Sequence, residues 1–167
     1  MNYGRLITQK LLEEKAKVSD PKQKFFHLQH QEDDFQFQIK YKDAGNFGIV
    51  LDYLSISKAA PIVDVELINE HLDNQADAVQ KRITFLLEEF KLIEMDTQNK
   101  RVQLRSYPPY TEDNSKYYYE IVLDEGVKVH FQRYQYSREE KRYGKITSQL
   151  TGETFERLVN ELTGILD

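Results

Sequence analysis

Four histidines, His27, His30, His71 and His130, are the first side chains here that could bind a metal or carry a proton. His27 and His30 are three positions apart in a strand-like stretch, which puts them on opposite faces. A shared metal there would need a bulge or a helix. His71 and His130 stand alone, and no His-Glu-x-x-His spacing occurs. A catalytic carboxylate pair needs two groups in different environments, so that their pKa values separate. Glu32-Asp33-Asp34, Glu88-Glu89 and Glu139-Glu140 are instead neighbours in turns or on outer helix faces. Cysteine is absent, which removes disulfides, thiolate metal sites and thiol nucleophiles. No Gly-x-Ser-x-Gly elbow, Walker loop or Gly-x-Gly-x-x-Gly is present. The expectation is a non-catalytic protein without metal or cofactor. An enzyme or small-ligand carrier would need a cleft joining His130, Arg133 and Tyr134.

The tyrosines point elsewhere. Of 11, eight lie from Tyr107 onward. Tyrosine joins a large apolar ring to a polar tip and loses little rotamer entropy, which suits a partner surface. Tyr107 and Tyr110 flank two prolines in a loop-like segment, and Tyr134 and Tyr136 share a strand face with Lys128. These four are the candidate partner-binding residues. The plain alternative is a set of cross-strand pairs that stabilise a half-open sheet.

The elements that must position these residues follow from periodicity. An amino-terminal helix with Leu6, Ile7 and Leu11 on one face is expected to end at Ser19-Asp20-Pro21. Three strands follow, Phe25–Gln31, Phe35–Lys42 and Phe47–Ser57. In the second, Phe35, Phe37, Ile39 and Tyr41 alternate with polar residues, so one face is buried. Asp64 can cap a long central helix from Val65 to Phe90, whose stripe is Val79, Ile83, Leu86, Leu87 and Phe90. A hairpin, Leu92–Asp96 with Arg101–Arg105, precedes the tyrosine-rich loop. Strands near Tyr117–Leu123, Val127–Tyr134 and Arg142–Ser148 come next. Thr151 caps a closing helix with Phe155, Leu158, Val159, Leu162, Ile165 and Leu166 on one side. The fold class is α+β, in the order α-βββ-α-ββ-βββ-α, with mainly antiparallel sheet covered by the central and closing helices. Residues 1–167 are read as a single domain, with 1–106 and 107–167 as candidate sub-units.

Two resemblances bear on function. In the first, Leu67, Ile68 and Leu72 precede Asp73-Asn74-Gln75. Val79, Ile83 and Leu86 follow, and Leu87–Glu94 leads into the Leu92–Arg105 hairpin. This stretch resembles the helix-turn-helix and wing of winged-helix DNA-binding domains. The resemblance implies nucleic-acid contacts by Lys81, Arg82, Lys100, Arg101 and Arg105. Charge opposes it, since Asp64–Arg105 carries more acid than base and phosphate binding needs a positive field. In the second, the element order of a small acidic chain is similar to that of bacterial secretion chaperones. That similarity implies a dimeric binder of other polypeptides.

The net charge of −5 and the 31% of charged residues fit a soluble protein, with a cytoplasmic location expected. No apolar run approaches the roughly 18 residues needed to cross a bilayer, so no membrane partner is expected. The leading expectation is a protein-binding, chaperone-like or adaptor module whose partner is another protein or a second copy of itself. A nucleic-acid binder is the alternative.

Overall fold

A computed structural model describes every residue of the chain except Ser19, Pro21 and Leu87. The first three strands pair as their alternation requires. β1 (Phe26–Glu32), β2 (Phe35–Gly45) and β3 (Gly48–Lys58) form an antiparallel meander. Phe35, Phe37, Ile39 and Tyr41 are buried, while Gln36, Gln38 and Lys42 between them are exposed. Helix α1 (Tyr3–Lys17) precedes the meander, capped by the Asn2 side chain, and buries Ile7 and Leu11. It is pinned where the Tyr41 hydroxyl donates to the Leu11 carbonyl at 2.7 Å. The expected stop at Ser19-Asp20-Pro21 falls partly outside the described residues, and the helix itself ends at Lys17.

Helix α2 (Val65–Arg82) begins as expected, with the Asp64 carboxylate accepting from the Glu66 N–H at 3.0 Å. It stops eight residues before Phe90, so the central helix is shorter than its apolar stripe suggested. Val79, Ile83, Leu86 and Phe90 are all buried, but only Val79 lies in the helix. Ile83 and Leu86 lie in a connecting segment, and Phe90 belongs to β4 (Glu89–Asp96). A run of buried apolar residues this short satisfies helix and strand spacing equally, and the sheet claims its end. Leu87 lies outside the described residues.

The helix-turn-helix expectation fails on the same element. Asp73, Asn74 and Gln75 are interior to α2, which runs through them unbroken. Ile68, Leu72, Ala76 and Val79 form one continuous buried stripe there. Gln75 is itself 4% exposed, and its side-chain amide donates to the Gly126 carbonyl at 2.8 Å. No second helix follows before β4 among the described residues.

The remaining strands are β5 (Arg101–Tyr107), β6 (Tyr110–Glu112), β7 (Ser115–Asp124), β8 (Lys128–Ser137), β9 (Arg142–Ile146) and β10 (Ser148–Leu150). All described pairings are antiparallel, in a single sheet of order β1-β2-β3-β8-β7-β5-β4. β8 and β10 share one edge of β3, β9 continues along β8, and β6 extends the edge that β5 occupies on β7. The closing helix α3 (Gly152–Leu166) is capped by Thr151 and buries Phe155, Leu158, Val159, Leu162, Ile165 and Leu166. The architecture is therefore α+β with antiparallel sheet, as the residue patterns required.

The helices share one face of the sheet. α1 packs on β1, β2 and α3, α3 on β3, β8 and β10, and α2 on β4, β5, β7 and α3. Their buried side chains join those of the strands in one continuous core. The opposite face has no helix on it among the described residues. No described helix is long and apolar enough to cross a membrane.

Candidate functional site

Strand parity decides what the open face carries. Register aligns Lys91, Arg105, Glu120, Gln132, Tyr53, Lys40 and His27 in one row across the sheet. Beyond that row, Tyr134 lies between Tyr118 and Lys145, and Tyr136 between Lys116 and Tyr143. Four tyrosines thus gather at the β7–β8–β9 end, with Tyr107 approaching from β5 as a fifth.

The backbone opens a depression beside them. β5 leaves β7 after the Arg105–Glu120 pair, and β6 rejoins it at Tyr110–Tyr117. Between these points Pro108 and Pro109 have no N–H to pair. The Tyr119 N–H, left without a ladder partner, donates to Ser106 Oγ at 2.8 Å. The bowed chain encloses a space of about 360 Å³ whose lining includes Arg105, Tyr107, Lys116, Tyr118, Tyr136 and Tyr143. Tyr118 forms the floor at 6% exposure, and Tyr107 and Tyr143 form the rim at 59% each.

The rings are packed against one another. Tyr118 stacks on Tyr134 with centroids 5.7 Å apart and planes at 17°, and Tyr136 meets Tyr143 at 4.7 Å. The Arg105 guanidinium lies 4.8 Å from the Tyr118 centroid and 5.9 Å from that of Tyr143. Such contacts contribute about 0.5–1 kcal/mol when partly exposed. Burial pushes the Tyr118 hydroxyl up to about 12, opposed by Arg105, and raises Tyr134 as well. Both hydroxyls stay protonated at neutral pH. Arg105 Nε donates to Glu120 at 3.3 Å, its one hydrogen bond among the described residues.

The structure brings Tyr107, Tyr134 and Tyr136 to this end but not Tyr110. Tyr110 pairs with Tyr117, whose side chain lies on the helix side, and its hydroxyl donates to Glu112 at 3.1 Å. Tyr118, Tyr143 and Lys116 were not singled out from the sequence. Their signal was the alternation of Tyr117 to Tyr119, which places Tyr118 on the face of Tyr134 once β7 and β8 pair.

The five basic residues of the winged-helix reading do not form one patch. Lys81 pairs with Asp77 at 2.8 Å and Arg82 with Glu161 on α3 at 2.6 Å, both on the helix side. Arg101 and Arg105 lie on the open face, paired with Asp124 and Glu120, and Lys100 sits in the β4–β5 turn. The sheet lies between the two pairs.

His130, Arg133 and Tyr134 do not share a cleft either. Arg133 points to the helix side, 4.2 Å from the Tyr119 ring and 3.9 Å from Glu88. His130 lies on the open face, stacked on Tyr53 at 5.4 Å, with Nε2 3.2 Å from Gln132 Oε1. Burial lowers its pKa from the ordinary histidine value. Among the described residues no three His, Asp or Glu side chains gather as a metal set.

Another depression, of about 440 Å³, lies at the β2–β3 turn. Asp43 is its one ionisable lining residue, and a hydrogen bond from Lys15 holds that carboxyl below its usual range. It lacks the converging polar groups of a binding site.

Fold and site together define an α+β protein with one helix-covered face and one open, tyrosine-rich face. No known protein family, curated protein or solved structure matches the chain.

Proposed function

We propose that this protein is a non-catalytic module that binds another polypeptide at the tyrosine-rich end of its open face. The observation that supports this reading is the depression with a buried ring at its floor and exposed rings at its rim. A partner side chain seated there is desolvated at the centre and sealed by Tyr107 and Tyr143, the arrangement in which interface residues contribute most. Nucleic acid is disfavoured because the chain carries a net charge of −5, and phosphate binding needs a positive field.

The test is site-specific photo-crosslinking in the cells that make the protein. A photoreactive side chain at Tyr143 or Tyr107 is expected to give a discrete adduct, and one at exposed Leu12 on α1 none. An adduct of twice the chain's mass identifies a second copy as the polypeptide. Adducts equally abundant from Leu12, or none from either tyrosine, overturn the reading.

A further inference from the structure

We infer that the partner segment is acidic, and that one of its Asp or Glu carboxylates enters the depression between Arg105 and Lys116. This inference rests on the polypeptide-binding reading above and names the chemistry of its partner.

The lining is rich in donors. The Arg105 guanidinium has five N–H groups in a planar fork, and Glu120 engages its Nε. Lys116, half-buried opposite Tyr136, has no carboxylate partner within 4.0 Å among the described residues. The surrounding tyrosine side chains carry O–H groups that can donate. A ligand that satisfies such a lining must bring acceptors, and a carboxylate brings them with the complementary charge.

The wider field agrees. Lys91 stands beside Arg105 in the ladder and Lys145 beside Tyr134, so cations flank the depression on both sides. In the ladder rows beside the depression the carboxylates are Glu120, already bonded to Arg105 and Gln103, and Glu89, across from Tyr107, while Glu112, Asp113, Glu139 and Glu140 lie in β6 and in the turns beyond. Toward the far ends of β4, β5, β7 and β8 on the open face, Glu94, Asp96 and Asp124 outnumber Arg101 and Lys128. In a chain of net charge −5, the lining of the depression carries two cations, Arg105 and Lys116, and no carboxylate. An acidic segment is drawn to that lining, which favours docking there.

The experiment is a display selection of random peptides on the full chain, followed by titration of the selected peptides. The expected result is clear enrichment of Asp and Glu. Binding should weaken by roughly tenfold between about 0.05 and 0.5 M salt, as Debye screening shortens. It should also weaken by roughly tenfold in the Arg105→Gln, Lys116→Gln double variant. Circular dichroism must show that variant folded; if it is not, Lys116→Gln alone carries the comparison. Selection of neutral peptides whose binding is lost in Tyr143→Ala overturns the acidic inference and leaves polypeptide binding standing. Acidic peptides insensitive to both charge changes also overturn it. No selected peptide, with tight binding of a mixed-sequence single-stranded oligonucleotide instead, overturns both readings.

Discussion

The backbone N–H of Gly4 donates to Asn160 Oδ1 at 2.8 Å, joining the two ends of the chain across 156 positions. The same Asn160 donates through Nδ2 to Asn2 Oδ1, the cap of α1, at 2.9 Å. α1 and α3 can cross this closely because Gly4 has no Cβ. One placed there would stand 2.2 Å from the Glu156 carbonyl oxygen. Gly4→Ala is therefore expected to push the helices apart and cost about 1–3 kcal/mol or more, despite its better helix propensity. Gly152→Ala, with nothing within 4 Å, is the control and should be neutral or slightly stabilising. Equal melting temperatures for Gly4→Ala and the wild type would rule out the close crossing.

Gln75 holds α2 to the β7–β8 turn, where Glu125 and Gly126 adopt successive positive φ values of 56° and 74°. Gln75→Ala leaves the buried Gly126 carbonyl without its donor and should cost about 1–3 kcal/mol. Chemical denaturation measures the loss. Because the turn is anchored through that carbonyl, faster hydrogen exchange should be confined at first to α2 and the β7–β8 hairpin end.

Glu88 and Arg133 form an ion pair 3.9 Å apart, with side chains 13% and 15% exposed. Glu88 Oε2 and Arg133 Nη1 have no hydrogen-bond partner among the described residues. Removing one charge strands the other, so Glu88→Ala should approach the ~3–5 kcal/mol cost of an orphaned buried charge. Glu88→Leu combined with Arg133→Met should cost far less than the two single changes added together. A double-mutant cycle with additive losses would contradict this coupling.

His130 makes stability fall in acid. Its folded-state pKa lies below the unfolded value near 6.5, because burial opposes the charged ring, as do Lys128 and Lys145. Gln132 and Glu120 act in the other direction without reversing it. The unfolded chain therefore binds more protons as pH falls through about 6.5. The neutral ring's contribution is complete above about pH 7.5 and declines toward the folded-state pKa. Melting curves of His130→Gln against pH should be flatter between about pH 7 and 5 than those of the wild type. Parallel curves would show that His130 titrates alike in both states.

Much of the architecture was legible in single residues. Phe35, Phe37, Ile39 and Tyr41 alternate with polar neighbours, and Phe155 to Leu166 repeat at helical spacing, so each names its own buried face. Asp64 and Thr151 cap their helices because a side-chain oxygen before an apolar stripe has local N–H groups to accept from. The limit of α2 was not legible. Ile83, Leu86 and Phe90 are apolar at helical spacing, yet β4 takes Phe90 to pair with Ser106, a partner distant in sequence.

The site divides in the same way. The amino-acid order by itself grouped Tyr107, Tyr110, Tyr134 and Tyr136 and determined that Tyr134 and Tyr136 share a face. Only the tertiary structure decided that Tyr118, Tyr143, Arg105 and Lys116 join them, and that Tyr110 and Arg133 face the other way. Local periodicity assigns a side chain to a face, because alternation is a property of one strand. Which strands lie side by side is set by long-range register, and the burial of the whole core selects that register.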